Sequence, residues 1–239
     1  MEKLELITIK DPKSPISESY RTLRTNIQFS SVDKEIQTIM VTSSGPGEGK
    51  STTSANLAIV MSESGAKTII IDCDQRKPIL HKKFLVSNRT GLSDVLAGKV
   101  EFKDAVINTG IDNLNLDLLT SGTKPPNPSG LLASKRMKTF IEDLKDKYRY
   151  IIIDTPPIIA VTDAQIVSTY VDGSILVVAS SQADRDAAQK AKRLLEKVNA
   201  NILGTVLNKV EAKGKGYYGY YYSYYDEAGN KKRKKKKRK

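Results

Sequence analysis

Between the apolar run Thr38-Ile-Met-Val-Thr and a helical pattern from Gly49 to about Glu63 lies the segment Ser44-Gly-Pro-Gly-Glu-Gly-Lys-Ser-Thr52. A glycine-rich turn joining a strand to a helix, with Lys-Ser-Thr in register, is the arrangement of a phosphate-binding P-loop. Gly47 and Gly49 let backbone N–H groups turn toward phosphate oxygens, and the helix start adds its partial positive charge. Gly45, Glu48 and Thr52 complete the expected cradle for ATP. Lys50 is expected to reach the β- and γ-phosphates and the Ser51 hydroxyl to bind Mg²⁺. The first position of the usual pattern holds Ser44, with a glycine one residue later. A small side chain there still permits the turn.

The rest of the 239-residue chain reads as a frame for this loop. Thr68-Ile-Ile-Ile, Leu114 to Leu119, Tyr150-Ile-Ile-Ile, Ser174 to Val178 and Ile202 to Leu207 have strand character. Helices are expected over 14–29, where Ile16, Tyr20, Leu23 and Ile27 recur at helical spacing, over 91–96, for about 15 residues from Leu131, near 163–170 and over 184–198. Residues 121–130, with three prolines and two glycines, read as a loop. Apolar strands alternating with amphipathic helices predict an α/β fold: a doubly wound, mostly parallel sheet with helices on both faces. Residues 1–210 form one P-loop domain in this reading. Residues 211–239 lack Leu, Ile, Val and Phe and are expected to be a disordered tail. The lone cysteine, Cys73, excludes an intrachain disulfide or Cys-Cys metal site and is assigned to core packing. The only histidine, His81, is given a packing or surface role. With no leader-like start and no apolar run near the ~18 residues that span a membrane, a cytoplasmic protein is expected.

Mg²⁺ needs carboxylates at strand ends facing the loop. Ile69-Ile-Ile-Asp72-Cys-Asp74 ends in two acids, whose i, i+2 spacing puts both on one side of an extended chain. Tyr150-Ile-Ile-Ile-Asp154 ends in one. An acid after three isoleucines is costly to bury without a charged partner. Asp72 and Asp154 are therefore expected to join Ser51 around Mg²⁺, directly or through water.

Several stretches resemble the bacterial tyrosine kinases of capsule and exopolysaccharide synthesis, in their cytoplasmic kinase component. Ser43 to Thr52 is similar to that family's Walker A motif, Asp72-Cys-Asp-Gln-Arg-Lys-Pro78 to its Walker A′ and Ile152-Ile-Asp-Thr-Pro-Pro157 to its Walker B. Pro125-Pro-Asn-Pro-Ser-Gly-Leu-Leu132 and Gly91-Leu-Ser-Asp-Val-Leu96 also resemble family segments. Glu18-Ser-Tyr-Arg21-Thr-Leu-Arg24 matches E-x-x-R-x-x-R, and Tyr217 to Tyr225 resembles the family's C-terminal tyrosine cluster. Gln75 stands where leucine is usual and Gly130 where glutamate is usual. The resemblance implies ATP-dependent tyrosine phosphorylation, first of Tyr217, Tyr218, Tyr220, Tyr221, Tyr222, Tyr224 and Tyr225. It further implies a ring-like homo-oligomer built through Glu18, Arg21 and Arg24, in which one copy's tail enters its neighbour's site. A membrane-spanning activator of the polysaccharide chain-length or co-polymerase type, other protein tyrosine substrates and a tyrosine phosphatase are implied partners. Such a protein would regulate capsule or exopolysaccharide synthesis and export from the inner face of the cell membrane. Asp74 would orient the tyrosine hydroxyl and accept its proton. Arg76 would offset phosphate charge or bind a phosphotyrosine.

Of the net charge of +12, nine units belong to Lys231 through Lys239, leaving +3 for the other 230 residues. That basic run is either a solvated solubility tail or a binding segment, for which anionic lipid is the functional choice and acidic polymer or nucleic acid the alternative. Phosphotyrosines at about −1.5 to −2 charges each would then release it. The rival reading is a partition or positioning ATPase of the same P-loop class. Its mark would be an extra lysine near the loop start, where residues 43–45 are Ser-Ser-Gly. Asn208, ending the last strand, is the candidate adenine contact.

Overall fold

The computed structural model describes residues 4–30 and 35–211. The tyrosine cluster at 217–225 and the basic run at 231–239 lie outside the described residues. The chain opens with α1 (Ile7–Lys10) and α2 (Pro15–Phe29), then β1 (Thr38–Ser43), α3 (Lys50–Ser62) and β2 (Thr68–Asp72). Four short helices and two strands follow: α4 (Leu80–Lys83), α5 (Leu92–Leu96), α6 (Phe102–Ala105), β3 (Ile107–Asn108), β4 (Leu116–Leu119) and α7 (Pro128–Ala133). The C-terminal half holds α8 (Lys135–Lys145), β5 (Tyr150–Asp154), α9 (Asp163–Ser168), β6 (Gly173–Ala179), α10 (Arg185–Glu196) and β7 (Ile202–Asn208).

The strands form one sheet in the order β3-β4-β2-β5-β1-β6-β7. Every pairing is parallel except that of β3 with β4. The isoleucine runs explain why: a strand apolar on both faces must be covered on both. Along β1, Ile39 and Val41 face a core under α1–α4, while Met40 faces a second core under α5–α10. Ile70 and Ile152 join the first core; Ile69, Ile71, Ile151 and Ile153 join the second. The expected doubly wound sheet is therefore present, with β1 and β5 in its middle.

Three local readings change. The helix expected from Leu131 begins at Pro128, inside the expected loop, and is broken at Ser134. Ser134 has extended backbone (ψ 149°), and its hydroxyl caps α8 by accepting from the Met137 N–H. A capping serine thus splits one apolar pattern into two helices. The short pieces α1, α4, α6 and β3 escaped notice because one turn or two residues carry no readable period. On α2 the structure buries Tyr20 and Ile27 but leaves Ile16 45% exposed.

β1 and β6 are tied at their starts by Asp172. Its carboxylate accepts from the N–H of Gln37 (3.2 Å) and of Thr38 (2.8 Å) and from the Thr38 hydroxyl (2.7 Å). Burial alone would raise its pKa, but these bonds hold it below the ordinary carboxylate value. A depressed acid contributes stability above its unfolded pKa of about 3.9, and that contribution is lost as pH falls through the folded value. Asp172→Ala should cost about 1–3 kcal/mol at pH 7. In urea titrations the gap from wild type should narrow on acidification; a gap that is constant with pH would contradict the account.

Candidate active site

The C-terminal ends of β1, β5 and β2 converge on one edge. β5 lies between the other two, and Asp154 is the register partner of both Val41 and Asp72. The P-loop leaves β1 at this edge and returns as α3, aiming the first turn of α3 at the same space.

The loop is held before any ligand arrives. Glu48 is 6% exposed and folds back on the loop start, accepting from the Ser44 N–H (3.0 Å) and the Ser44 hydroxyl (2.5 Å). The serine that departs from the glycine pattern is thus the anchor of a strap. Asn208, at the end of β7, donates from Nδ2 to the Glu48 carbonyl at 2.8 Å. Gly49 has φ 93°, and a Cβ there would lie 2.0 Å from Asn208 Nδ2, so only glycine fits. The structure places Asn208 against the P-loop backbone; Glu48 likewise turns its carboxylate onto Ser44.

Lys50 lies among the acids. Its Nζ donates to Asp74 Oδ2 (3.0 Å) and the Ser51 hydroxyl (3.1 Å) and is 3.6 Å from Asp154 Oδ2. Burial would depress its pKa, but Asp154, Asp74 and Asp72 outweigh it and hold the ammonium above the ordinary lysine value. Asp154 is fully buried. Its Oδ1 accepts from the Ser54 hydroxyl at 3.0 Å, while Oδ2 has no hydrogen-bond donor. Burial raises its pKa despite Lys50, Ser51 and Ser54.

Asp72 and Asp74 take different tasks. The chain leaves the strand at Asp72, so the alternation expected from their spacing ends there. Asp72 accepts from the backbone N–H of Asp74 (3.1 Å), Ile79 (3.1 Å) and Leu80 (3.0 Å), closing the loop between β2 and α4. Burial, with Asp154 beside it, raises its pKa above the ordinary carboxylate value. Asp74 keeps one oxygen on Lys50 and takes the Lys77 N–H on the other. Arg76 makes a two-pronged contact, 2.9 Å on each arm, with the buried Asp163 at the start of α9. Cys73 is buried in the core under α5–α10, and burial raises its thiol pKa.

The donor set fits Mg²⁺. Asp154 Oδ2 offers a buried oxygen without a hydrogen-bond donor next to Ser51, and no described cluster of three or more His, Cys, Asp or Glu could form an all-protein cage. Mg²⁺ characteristically takes one or two carboxylates and completes its shell with phosphate and water.

Glu18, Arg21 and Arg24 lie away from this edge. Arg21 bridges Glu18 (2.6 Å) and Glu63 (2.9 Å), and Arg24 donates to the Val60 carbonyl, so the helix face clasps the end of α3. Sequence reasoning missed Ser54, Lys83 and Asp163. Ser54 was findable as a small polar residue one turn after Lys50. The other two depend on tertiary placement.

A family model described as a NUBPL iron-transfer P-loop NTPase, of the ParA group, matches residues 35–237. The chain is 45% identical to tyrosine-protein kinase YwqD of Bacillus subtilis over 90% of each protein. It is 43% identical to the putative tyrosine-protein kinase CapB of Staphylococcus aureus over 87% of this chain and 91% of that protein. The kinase domain of Escherichia coli tyrosine kinase ETK superposes with a TM-score of 0.84 at 34% identity, covering 91% of this chain and 85% of that one. At 27% identity the septum site-determining protein MinD of Pyrococcus horikoshii, solved with Mg-ADP, has a TM-score of 0.62 over 77% of this chain and 73% of that one.

The Glu48 strap gives a test. Glu48→Ala should leave the circular dichroism spectrum unchanged and weaken Mg-ADP about tenfold by calorimetry, because the loop must then be ordered on binding. Unchanged affinity would mean the loop holds its shape without the strap.

Proposed function

The chain belongs to the bacterial tyrosine-protein kinases, and from that membership we propose that it transfers the γ-phosphoryl group of ATP to Tyr217, Tyr218, Tyr220, Tyr221, Tyr222, Tyr224 and Tyr225 of a neighbouring copy. The observation that carries this reading is Asp74: a carboxylate with one oxygen 3.0 Å from the P-loop lysine, at the edge where the γ-phosphate would lie. Lys50 offsets the charge of Asp74. When Lys50 turns to the phosphates, that oxygen is released to accept a proton.

Phosphoryl transfer is mainly positioning and charge neutralisation. Backbone N–H groups of Gly47 and Gly49 and the Lys50 ammonium would orient the phosphates. Ser51 and Asp154 Oδ2 would hold Mg²⁺, with Asp72, whose oxygens already accept backbone bonds, acting through water. When bound, Mg²⁺ neutralises charge on the phosphate chain. The tyrosine oxygen attacks the γ-phosphorus, the bond to the ADP oxygen breaks and Asp74 takes the phenolic proton. A phenol with a pKa of about 10 gains from an oriented base.

The oligomer proposal rests on α2, where Phe29, 80% exposed, falls on the same side of the helix as Glu18. We assign this face to a ring contact between copies. The membrane-spanning activator, further tyrosine substrates, an opposing phosphatase, an anionic membrane surface for residues 231–239 and control of capsule or exopolysaccharide synthesis and export follow as parts of the same proposal. No helix among the described residues is long and apolar enough to cross a membrane. A positioning-ATPase role is the second reading, favoured by the likeness to MinD; the Ser-Ser-Gly at 43–45 speaks against it. Iron transfer finds no support in this chain, whose one cysteine is buried.

After incubation with Mg-ATP, wild type should give a strong anti-phosphotyrosine signal and Lys50→Met none. Asp74→Asn should bind ATP yet lose at least about 100-fold in rate, the usual scale of a general base. Normal autophosphorylation of that variant would remove Asp74 as the base. Glu18→Ala with Arg21→Ala should shift light scattering from oligomer to monomer while melting stays within a few degrees of wild type; an unchanged mass would remove α2 as the ring contact.

A further inference from the structure

Lys83 is the last residue of α4, and its ammonium donates to the Thr52 hydroxyl at 2.8 Å. Thr52 is the third residue of α3 and therefore lies in the first turn of the P-loop helix. The side chain of Lys83 is half-buried, and no carboxylate among the described residues pairs with it. Burial makes this position unfavourable for a cation. The first turn of α3 carries the positive end of the helix dipole. Lys50 adds a second ammonium nearby, which Asp154 more than offsets; it is burial that holds the Lys83 pKa below the ordinary lysine value. A half-buried ammonium that donates to a neutral hydroxyl at a helix N-terminus, with no ion-paired carboxylate among the described residues, is short of a direct anionic partner.

The missing anion has a natural position. A P-loop lysine reaches the β- and γ-phosphates, while the loop backbone cradles the α- and β-phosphates. Thr52 is two residues past Lys50 in the first turn of the same helix. We propose that Lys83 is a second phosphate-binding lysine, which contacts the α- or β-phosphate of the bound nucleotide across Thr52. This rests on the nucleotide site assigned above. It predicts that Lys83 serves ADP and ATP alike, because both carry those two phosphates. It also gives α4, and through Asp72 the end of β2, a direct response to nucleotide: the amides of Ile79 and Leu80 that hold Asp72 begin the same short helix.

The test compares wild type, Lys83→Gln, Lys83→Arg and Lys50→Met by calorimetry with Mg-ADP and Mg-ATP and by melting temperature with and without Mg-ADP. Glutamine can still donate to Thr52, so it preserves a clasp but removes the charge. Lys83→Gln should melt at or above wild type without ligand and bind both nucleotides about tenfold or more weakly, the scale of one charge-assisted phosphate contact. Lys83→Arg should recover most of the affinity. Wild-type affinity in Lys83→Gln, or a loss confined to ATP, would overturn the proposal. So would a lower ligand-free melting temperature with unchanged binding, which would make Lys83 a structural clasp. If wild type itself fails to bind either nucleotide, the nucleotide site and this inference both fall. If wild type binds and Lys50→Met does not, the site stands and Lys83 is judged alone.

Discussion

A carboxylate with no access to water, carrying one oxygen without a hydrogen-bond donor, organises this molecule. Asp154 is delivered to the middle of the sheet by an isoleucine run that has no freedom to face solvent. Burying such a charge is unfavourable by several kcal/mol unless it is paired. Lys50 supplies the pairing at 3.6 Å and Ser54 one hydrogen bond, both from the first two turns of α3. The parallel sheet, the P-loop and the helix it opens therefore stand or fall together around this contact. Asp72, one strand over and in register, repeats the problem and solves it with three backbone amides.

The charges of the site suit a bound phosphate. Lys50 is held by acids that nucleotide would free, while the half-buried Lys83 is held by a neutral hydroxyl. Polyphosphate with Mg²⁺ would answer both conditions. The loop itself needs little adjustment, because the contacts of Ser44 with Glu48 and of Glu48 with Asn208 already fix it from both ends. Asn208 comes from β7, at the far edge of the sheet, so the loop reads the order of strands beyond its own neighbours.

Much of this was legible in the sequence for a physical reason. Fully buried strands must be apolar throughout, and a P-loop must carry glycine, lysine and serine at fixed spacing. Both leave dense local signals, which is why β1, β2, β5, β6 and the chemistry of Lys50 and Ser51 were readable. What escaped depends on tertiary contact. Ser134 looks like any helix residue until its hydroxyl is seen capping the next helix. Glu48 reads as a loop carboxylate, but its partner Ser44 decides where it points. Asp74 and Asp72 looked alike by spacing, and they diverge because the strand ends between them. Lys83 and Asp163 carry no motif at all.

The central claim is that phosphate bound at Lys50 goes to tyrosines of another copy. The most direct measurement mixes two variants, neither able to phosphorylate its own cluster, with Mg-ATP: Lys50→Met, which keeps its tail tyrosines, and a variant with the seven tyrosines between 217 and 225 changed to phenylalanine, which keeps its site. The account predicts phosphotyrosine on the Lys50→Met chain only in the mixture, resolved by a size tag. Absence of signal in the mixture, while wild type alone phosphorylates itself, would contradict transfer between copies.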